Sequence, residues 1–511
     1  MRPASRTPRI PSPGPGPDRA RRSLSSARAA AEEHDRLLTA MAGTIAERGY
    51  ASTTVAEVIT RAGLSRHAFH QHFADKRACF LAAYDAIVAD WLDSIATAYG
   101  SGGDPLARAQ AGLRAVFEAA SANPAGLRLV TIEIAGAGAA GIARREKLIG
   151  SFEALLRENL ALAPRRQSTI ANPVLRALVG GLSRVLHTHV QSARSAELPE
   201  LIGDLVRWTT SYTAHPAMIN LRDPEPNSPA TFEGLWGGRA PGTLWLGPPG
   251  GGTREVASGH RGVSRSLAVH TQRERIIDAV TNLSAERGYA ATALGDITKE
   301  AGVSLSTFYQ QFSGKEDAFL VAYELGHAKG LAIVEGAFFT EADWRYGVRA
   351  GLSALFDFLA SEPSFAHMAL VEALIATRRS AERSNRGVSA YTQMLVPGLQ
   401  EAEDGSRPPP VTVEAVTGGV FELCLSYALR GRIGELSELV PRATYFALTP
   451  FIGADEAARI ATEGASQRSQ EAPAAPGRHG RRGQGQATAP VIEPRRTARG
   501  RVDRPPGPFL T

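Results

Sequence analysis

The chain has 511 residues, which excludes one small module and leaves room for roughly two to four domains. Hydrophobic residues at 43% and charged residues at 21% suffice for ordinary cores, and two cysteines, Cys79 and Cys424, exclude a disulfide framework and a cysteine-based zinc cluster, as in a reduced compartment. The net charge of +6 is unevenly placed: residues 1–31 carry +6, residues 464–511 another +6, and the stretch between them −6, so the basic balance belongs to two Pro/Arg/Gly-rich tails and any nucleic-acid reading must rest on local motifs.

Residues 1–31 read as a disordered basic arm; they have no apolar core of a secretory signal, and their Arg/Ser content only weakly resembles a transit peptide. Over 32–84 the spacing of Leu37, Leu38, Met41 and Ile45 predicts a first helix ended by Gly49. A short second helix is expected after Thr53 as N-cap, with Val55, Val58 and Ala62 inward. Ala62-Gly63-Leu64-Ser65 then supplies a tight turn, an apolar plug and a cap for a third helix, whose Phe69 and Phe73 share the buried face. Residues 85–215 read as amphipathic helices broken at Pro124, Pro164 and Pro173, ending in a pair at about 174–193 and 197–214. The longest apolar stretch, from Leu129, is interrupted by Glu133 and falls short of the roughly 20 residues a membrane span needs, so a soluble, cytoplasmic chain with no membrane partner is expected. Residues 216–270, with DPEPNSP, GGRAPG and GPPGGG, have linker composition; Trp236 and Trp245 within them either dock on a domain face or ride in a mobile strap.

After the linker the pattern starts again. ERGYA recurs at an offset of 239, and that offset pairs Thr53 with Thr292, Ser65 with Ser304, Phe69 with Phe308, Lys76 with Lys315, Tyr84 with Tyr323, Pro124 with Pro363 and Glu133 with Glu372. Further on the register slips to 238, aligning Gly180-Gly181 with Gly418-Gly419. The chain is therefore a tandem duplication: 271–323 repeats 32–84 and 324–454 repeats 85–215, with last helices at about 411–430 and 435–448 and breaks at Pro363, Pro397 and Pro408 to Pro410. Residues 455–511 read as a second disordered basic tail.

Two short helices joined by a Gly-containing turn, the second polar on its outer face, make a helix-turn-helix fit for a major groove. TTVAEVITRAGLSRHAFHQHFADK and TALGDITKEAGVSLSTFYQQFSGK both resemble the N-terminal signature of the TetR family of bacterial transcriptional regulators, over about 50 residues per copy. The resemblance implies an all-α fold of two tandem units, each a three-helix DNA-binding domain followed by a helical effector and dimerisation bundle. It makes the third helix the reader of double-stranded DNA. Arg66, His67 and Ala68 are expected on its exposed first turn, Arg66 and His67 reaching base edges; Leu305, Ser306 and Thr307 take those places in the second copy. His70 stands where the family has a phosphate-contacting tyrosine, which Tyr309 supplies in copy two, and Lys76 and Lys315 match its phosphate-contacting lysine. Thr53, Thr292, Ser65 and Ser304, at the starts of the second and third helices, complete the expected DNA-facing set.

For a small-molecule effector the candidate contacts are Glu133, His187 and Trp208 in copy one and His367, Met368, Glu372, Cys424 and Tyr427 in copy two. His187 and His189 point to different helix faces, a poor metal geometry, and neither metal nor cofactor is expected. The paired glycines permit close helix approach, so an intramolecular pseudo-dimer is the leading architecture, reading an imperfect palindrome as a ligand-responsive repressor. The alternatives are a homodimer carrying four reading helices and a helical scaffold in which one copy has lost DNA binding. No GxSxG, HExxH or P-loop pattern is present, and no enzyme is expected.

Overall fold

The computed structural model describes residues 17–463 apart from 101–102, 104, 163–170, 193, 213–214, 220, 222–264 and 402–406. These fall within a single unit, Met1–Ala465. All regular structure among the described residues is helical. Copy one comprises α1 (Pro17–Arg48), α2 (Val55–Ala62), α3 (Arg66–His72), α4 (Lys76–Gly100), α5 (Pro105–Ala122), α6 (Pro124–Thr131), α7 (Ala139–Leu162), α8 (Asn172–Gln191), α9 (Ile202–Thr210) and the short α10 (Pro216–Ile219). Copy two comprises α11 (Arg265–Arg287), α12 (Leu294–Glu300), α13 (Leu305–Gln311), α14 (Lys315–Thr340), α15 (Trp344–Ser361), α16 (Pro363–His367), α17 (Ala373–Ile375), α18 (Arg378–Ala390), α19 (Val396–Glu401), α20 (Val411–Leu429), α21 (Val440–Ile452) and α22 (Ala454–Thr462). A single π-helical turn, Met368–Glu372, joins α16 to α17.

The expected three-helix heads form in both copies. Gly49 and Gly288 end the first helices at φ of 79° and 83°, a left-handed backbone that costs glycine nothing. Leu37, Met41, Ile45, Val58, Phe69 and Phe73 close the first head, and Ile276, Val280, Leu283, Ile297, Phe308 and Phe312 the second, all buried. Several expectations shift. The N-cap of α2 is Thr54, not Thr53: Thr54 Oγ1 accepts from the Glu57 backbone N–H at 3.3 Å while Glu57 takes the Thr54 N–H at 2.8 Å, a closed capping box. α1 begins at Pro17 rather than at 32, because the Ala/Arg/Glu-rich run after Pro17 favours helix and proline suits a first turn. α10 and α22 lie in segments expected to be linker and tail; Met218 on the one and Ala457, Ile460 and Ala461 on the other are buried. Trp236, Trp245 and the tail beyond residue 463 lie outside the described residues. The boundaries expected at 84/85 and 323/324 fall inside α4 and α14, each of which runs unbroken from head to body.

The centre of the protein is the pairing of α8 with α20. A Cβ on Gly181 would stand 2.5 Å from the Ala415 carbonyl oxygen, and one on Gly419 2.5 Å from that of Ala177, so glycine is what lets the two backbones approach. Gly180 faces Glu422 and Gly418 faces Arg184 in the same mirrored way. Trp208 and Phe446 cover the outer sides of Gly181 and Gly419, Tyr212 stacks on Phe446 with centroids 5.3 Å apart, and its hydroxyl donates to the Phe446 carbonyl at 3.0 Å. α20 is long and apolar enough to cross a membrane, but 83% of it is buried inside the protein, as suits a core helix walled on every side.

This packing yields a test in which chemistry is constant and only space differs. Gly181→Ala and Gly419→Ala each force backbone against backbone and are expected to lower unfolding free energy by about 1–3 kcal/mol in denaturant titrations. Gly150→Ala in α7, where nothing lies within 4 Å of the new methyl, is expected to raise it by about 0.5–1 kcal/mol.

Candidate nucleic-acid interface

In both heads the third helix is fixed from behind and exposed in front. Ser65 caps α3 by accepting from the Ala68 N–H at 3.1 Å, and Ser304 caps α13 through the Thr307 N–H at 3.0 Å. Phe69 and Phe308 are fully buried and pack on Phe73 and Phe312. The outer face of α3 presents Arg66, His67, His70 and Gln71 to solvent. Ala68, expected on that face, is buried and belongs to the packed side. On α13 the outer face carries Leu305 and Tyr309, 52% and 55% exposed, with Ser306 between them and Thr307 half-buried. The Tyr309 ring meets Phe308 edge to face with centroids 5.7 Å apart, and its remaining surface, with that of Leu305, faces solvent.

The remaining expected contacts lie further in. Thr53 and Thr292 are buried, their hydroxyls donating to the carbonyls of Gly49 and Gly288 at 2.8 and 2.9 Å; they close the end of the first helix and present nothing to a phosphate. Lys76 and Lys315 are half-buried. The Lys76 ammonium donates to the Tyr50 carbonyl at 2.9 Å, and that of Lys315 to the Tyr289 and Thr292 carbonyls at 2.9 and 2.8 Å, each lying over a tyrosine ring. Burial lowers the pKa of both lysines. An ammonium has three N–H donors, so these bonds still leave a direction for a phosphate oxygen.

Each head is also tied to its body by a carboxylate on one backbone residue. Glu133, which opens the 3-10 turn Glu133–Ala137 after α6, accepts the Tyr50 N–H at 2.7 Å, and Glu372, on the π turn, accepts the Tyr289 N–H at 2.6 Å. With the lysines on the carbonyls, both polar atoms of the Tyr50 and Tyr289 backbones are held, one from the head and one from the body. Glu133 and Glu372 thus anchor the heads, and neither lines the cavities of the bodies. Burial raises the pKa of both. Arg128, 3.0 Å from Glu133, offsets part of that rise, whereas Glu372 has the Tyr289 N–H as its lowering influence and is pushed up to about 7. The signal was present in the sequence, since Gly49-Tyr50 and Glu133 repeat together at the same offset, but a contact across 83 residues cannot be read from periodicity.

Each body holds a cavity, and the effector candidates are mostly elsewhere. In copy two a cavity of about 130 Å³ lies between α14, α15, the π turn, α18 and α20; of the eight candidates only Cys424 lines it, beside His327, Tyr391, Phe358 and Met394. The stripe Tyr323, His327, Gly330, Val334 on α14 could have revealed it by helical spacing. In copy one a cavity of about 160 Å³ is lined mostly by apolar side chains, with Arg108, Arg145, Thr131, Ser183 and Thr209 as its polar members. His187 instead meets Asn385 of copy two at 3.2 Å, and burial pushes its pKa down to about 3. Trp208 covers Gly181, and His367 and Met368 are buried in the body core, burial lowering the His367 pKa to about 4. Tyr427 packs under Arg432, 5.1 Å from its ring centroid. His189 turns Nδ1 to the Val185 carbonyl at 2.9 Å.

The family model for bacterial regulatory proteins of the tetR family matches residues 37–83 and 276–322, the two heads just described. The HTH-type transcriptional activator FasR of Mycolicibacterium smegmatis is 32% identical over 108 residues, which is 21% of this chain and 49% of that protein, so the chain spans about half the length of the curated relative it matches. The solved structure of the fatty acid degradation regulator FadR from Bacillus halodurans is 17% identical and covers 35% of this chain and 94% of its own, with a TM-score of 0.32. A TM-score that low places no constraint on how the chain is arranged.

The two anchors differ in what opposes burial, and pH separates them. A carboxyl held near 7 in the folded chain and near 4.5 in the unfolded one penalises folding once ionised, so its penalty grows as pH rises across that window and is absent below it. Glu372→Gln keeps an acceptor for the Tyr289 N–H and removes the titration. Its stability relative to wild type is expected to rise by on the order of 2 kcal/mol between about pH 5 and about pH 8, measured by urea unfolding. Glu133→Gln, which gives up the Arg128 ion pair, is expected to show a smaller rise; equal rises would reject the assignment.

Proposed function

We propose that this chain, which carries the helix-turn-helix domain of the TetR family of bacterial regulators twice, is a sequence-specific DNA-binding regulator acting as a covalent pseudo-dimer on an imperfect palindrome. The observation that carries the reading is the pairing of α8 with α20 through mirrored glycines, which brings the two bodies together within one chain while α3 and α13 keep their outer faces exposed. Two reading helices on one duplex face engage half-sites about 34 Å apart. The heads differ where bases are read. Arg66 suits guanine O6 and N7, and His67 stands beside it; Leu305 suits a thymine methyl, with Ser306 as a hydroxyl partner. The half-sites therefore differ. His70 and Tyr309, exposed at matching positions, take backbone phosphates.

The same reading includes a small-molecule effector and, as the sense of regulation, repression relieved by that effector. α14 starts at Lys315, against the head, and walls the copy-two cavity through Gly326 and Gly330. A compact apolar molecule with a polar group turned to His327 or Tyr391 would favour one setting of α14, and a ligand acts only through such a difference in affinity. Work on chromosomal DNA places the chain in the cytoplasm.

Selection of bound sequences from a random DNA pool, with the mass of the winning complex, tests this reading. One chain on two unlike half-sites is expected; two chains on four half-sites would replace the pseudo-dimer by a homodimer. Within the selected site, Arg66→Ala is expected to cost about 1–3 kcal/mol and to relax base choice in one half-site alone. Tyr309→Phe is expected to weaken binding evenly across sequences and to flatten the salt dependence by about one phosphate contact.

A further inference from the structure

We infer that the joint between the two copies is charge-coded for unlike partners: copy one is built to pair with copy two and to reject a second copy one, and copy two likewise. This rests on the pseudo-dimer reading and names the residues that select the partner.

At the joint, three basic and three acidic side chains form one cluster. Copy one contributes Arg145, Glu146, Glu153 and Arg176; copy two contributes Glu422 and Arg430. Arg145 meets Glu422 at 2.5 Å, Arg176 meets Glu146 at 2.9 Å and Glu153 at 2.8 Å, and Arg430 meets Glu146 at 2.5 Å. Arg145, Arg176 and Glu422 are buried. The charges balance within the cluster, as buried charge requires.

The mirrored glycines fix which residues are counterparts. Arg184 lies over Gly418 as Glu422 lies over Gly180, so positions 184 and 422 are equivalent, and they carry opposite charge. The same register makes Glu414 the counterpart of Arg176 and Ser192 that of Arg430, while the earlier register sets Ser384 and Asn385 against Arg145 and Glu146. On the opposite side of the joint, Arg184 donates to the Asn385 side chain at 2.6 Å and to its carbonyl at 2.9 Å, and the Glu414 carboxylate attracts it electrostatically. Both sides are therefore neutral in the pairing observed.

A like pairing would leave neither side neutral. Two copies of the first half would set Arg145, Arg176 and the incoming Arg184 against Glu146 and Glu153 alone, twice by symmetry. Two copies of the second half would set Glu414 and the incoming Glu422 against Arg430 alone, with Ser384 and Asn385 in place of the arginine and glutamate of copy one. Each wrong pairing buries an unmatched charge at both ends, which is a stronger discrimination than any loss of packing, since α8 and α20 carry the same glycines.

The test uses the full chain with a protease site inserted within 222–264, folded, then cut, and weighed by native mass spectrometry before and after. Uncut, a mass of one chain is expected. Cut, the halves of the wild type are expected to stay one of each, in about tenfold or greater excess over like pairs after dilution and reconcentration. The double variant Arg184→Gln with Glu422→Gln balances both like pairings and unbalances the unlike one, so its halves are expected to re-sort into like pairs. A merely structural role for these side chains would weaken the joint without re-sorting. Cut wild type that re-sorts, or a cut double variant that keeps one of each half, would overturn the charge code while leaving a one-chain mass, and with it the pseudo-dimer, intact; a two-chain mass before cutting would instead overturn the pseudo-dimer. Should the double variant not fold, Glu422→Arg is expected to lose the unlike pairing after cutting and Glu422→Arg with Arg145→Glu to regain it, and failure of that swap to restore it would also overturn the code.

Discussion

Two helix backbones can approach to carbonyl contact only where no side chain stands between them, and here that requirement falls on Gly181 and Gly419. The approach brings α8 and α20 together along their length and lets Trp208, Tyr212 and Phe446 close over the seam. The proposed reading of two half-sites depends on this contact. The heads have no need to touch each other, because the bodies that carry them are fixed at the joint.

From the joint outward, rigidity passes to the heads by two routes. One is covalent: α4 and α14 run unbroken from body to head. The other is polar: Glu133 and Glu372 reach out of the bodies to take the backbone N–H after a left-handed glycine, where Lys76 and Lys315 hold the neighbouring carbonyl. A carboxylate on a backbone N–H is short and directional, so it sets the angle of the head more firmly than apolar contact alone. In copy two that anchor sits on the π turn, and the turn's Ala369 and Leu370 also wall the cavity. The anchor of the head and part of the cavity wall therefore share one turn in that copy. In copy one Arg128 donates to the corresponding carboxylate at 3.0 Å.

Features resting on neighbours in sequence were legible from it. Gly49 and Gly288, the Ser65 and Ser304 caps, the buried Phe69 and Phe308 and the exposed Arg66 and Tyr309 all follow from spacing within a turn or two. The duplication itself made the glycine pairs visible and pointed to the helices they join. What escaped was set by distance in the chain. Thr54 displaced Thr53 as cap because Glu57 was placed to complete a capping box, and Thr53 then turned inward. Glu133 and Glu372 stood among the effector candidates, but the backbone N–H that each accepts lies 83 residues away. His187 and Trp208 face the other copy, and no pattern within one helix separates a face turned to a cavity from one turned to a partner helix.

The claim on which the account turns is that one chain, by itself, holds two reading helices at the spacing of one duplex turn. Spin labels on Arg66→Cys and Leu305→Cys within one chain, with the native Cys79 and Cys424 buried out of reach, give the distance between α3 and α13 by pulsed dipolar spectroscopy. A single distribution near about 34 Å, with a modulation depth unchanged when labelled protein is diluted into unlabelled protein, is the expected result. A depth that falls on dilution, or a distance far from one helical turn, would contradict it.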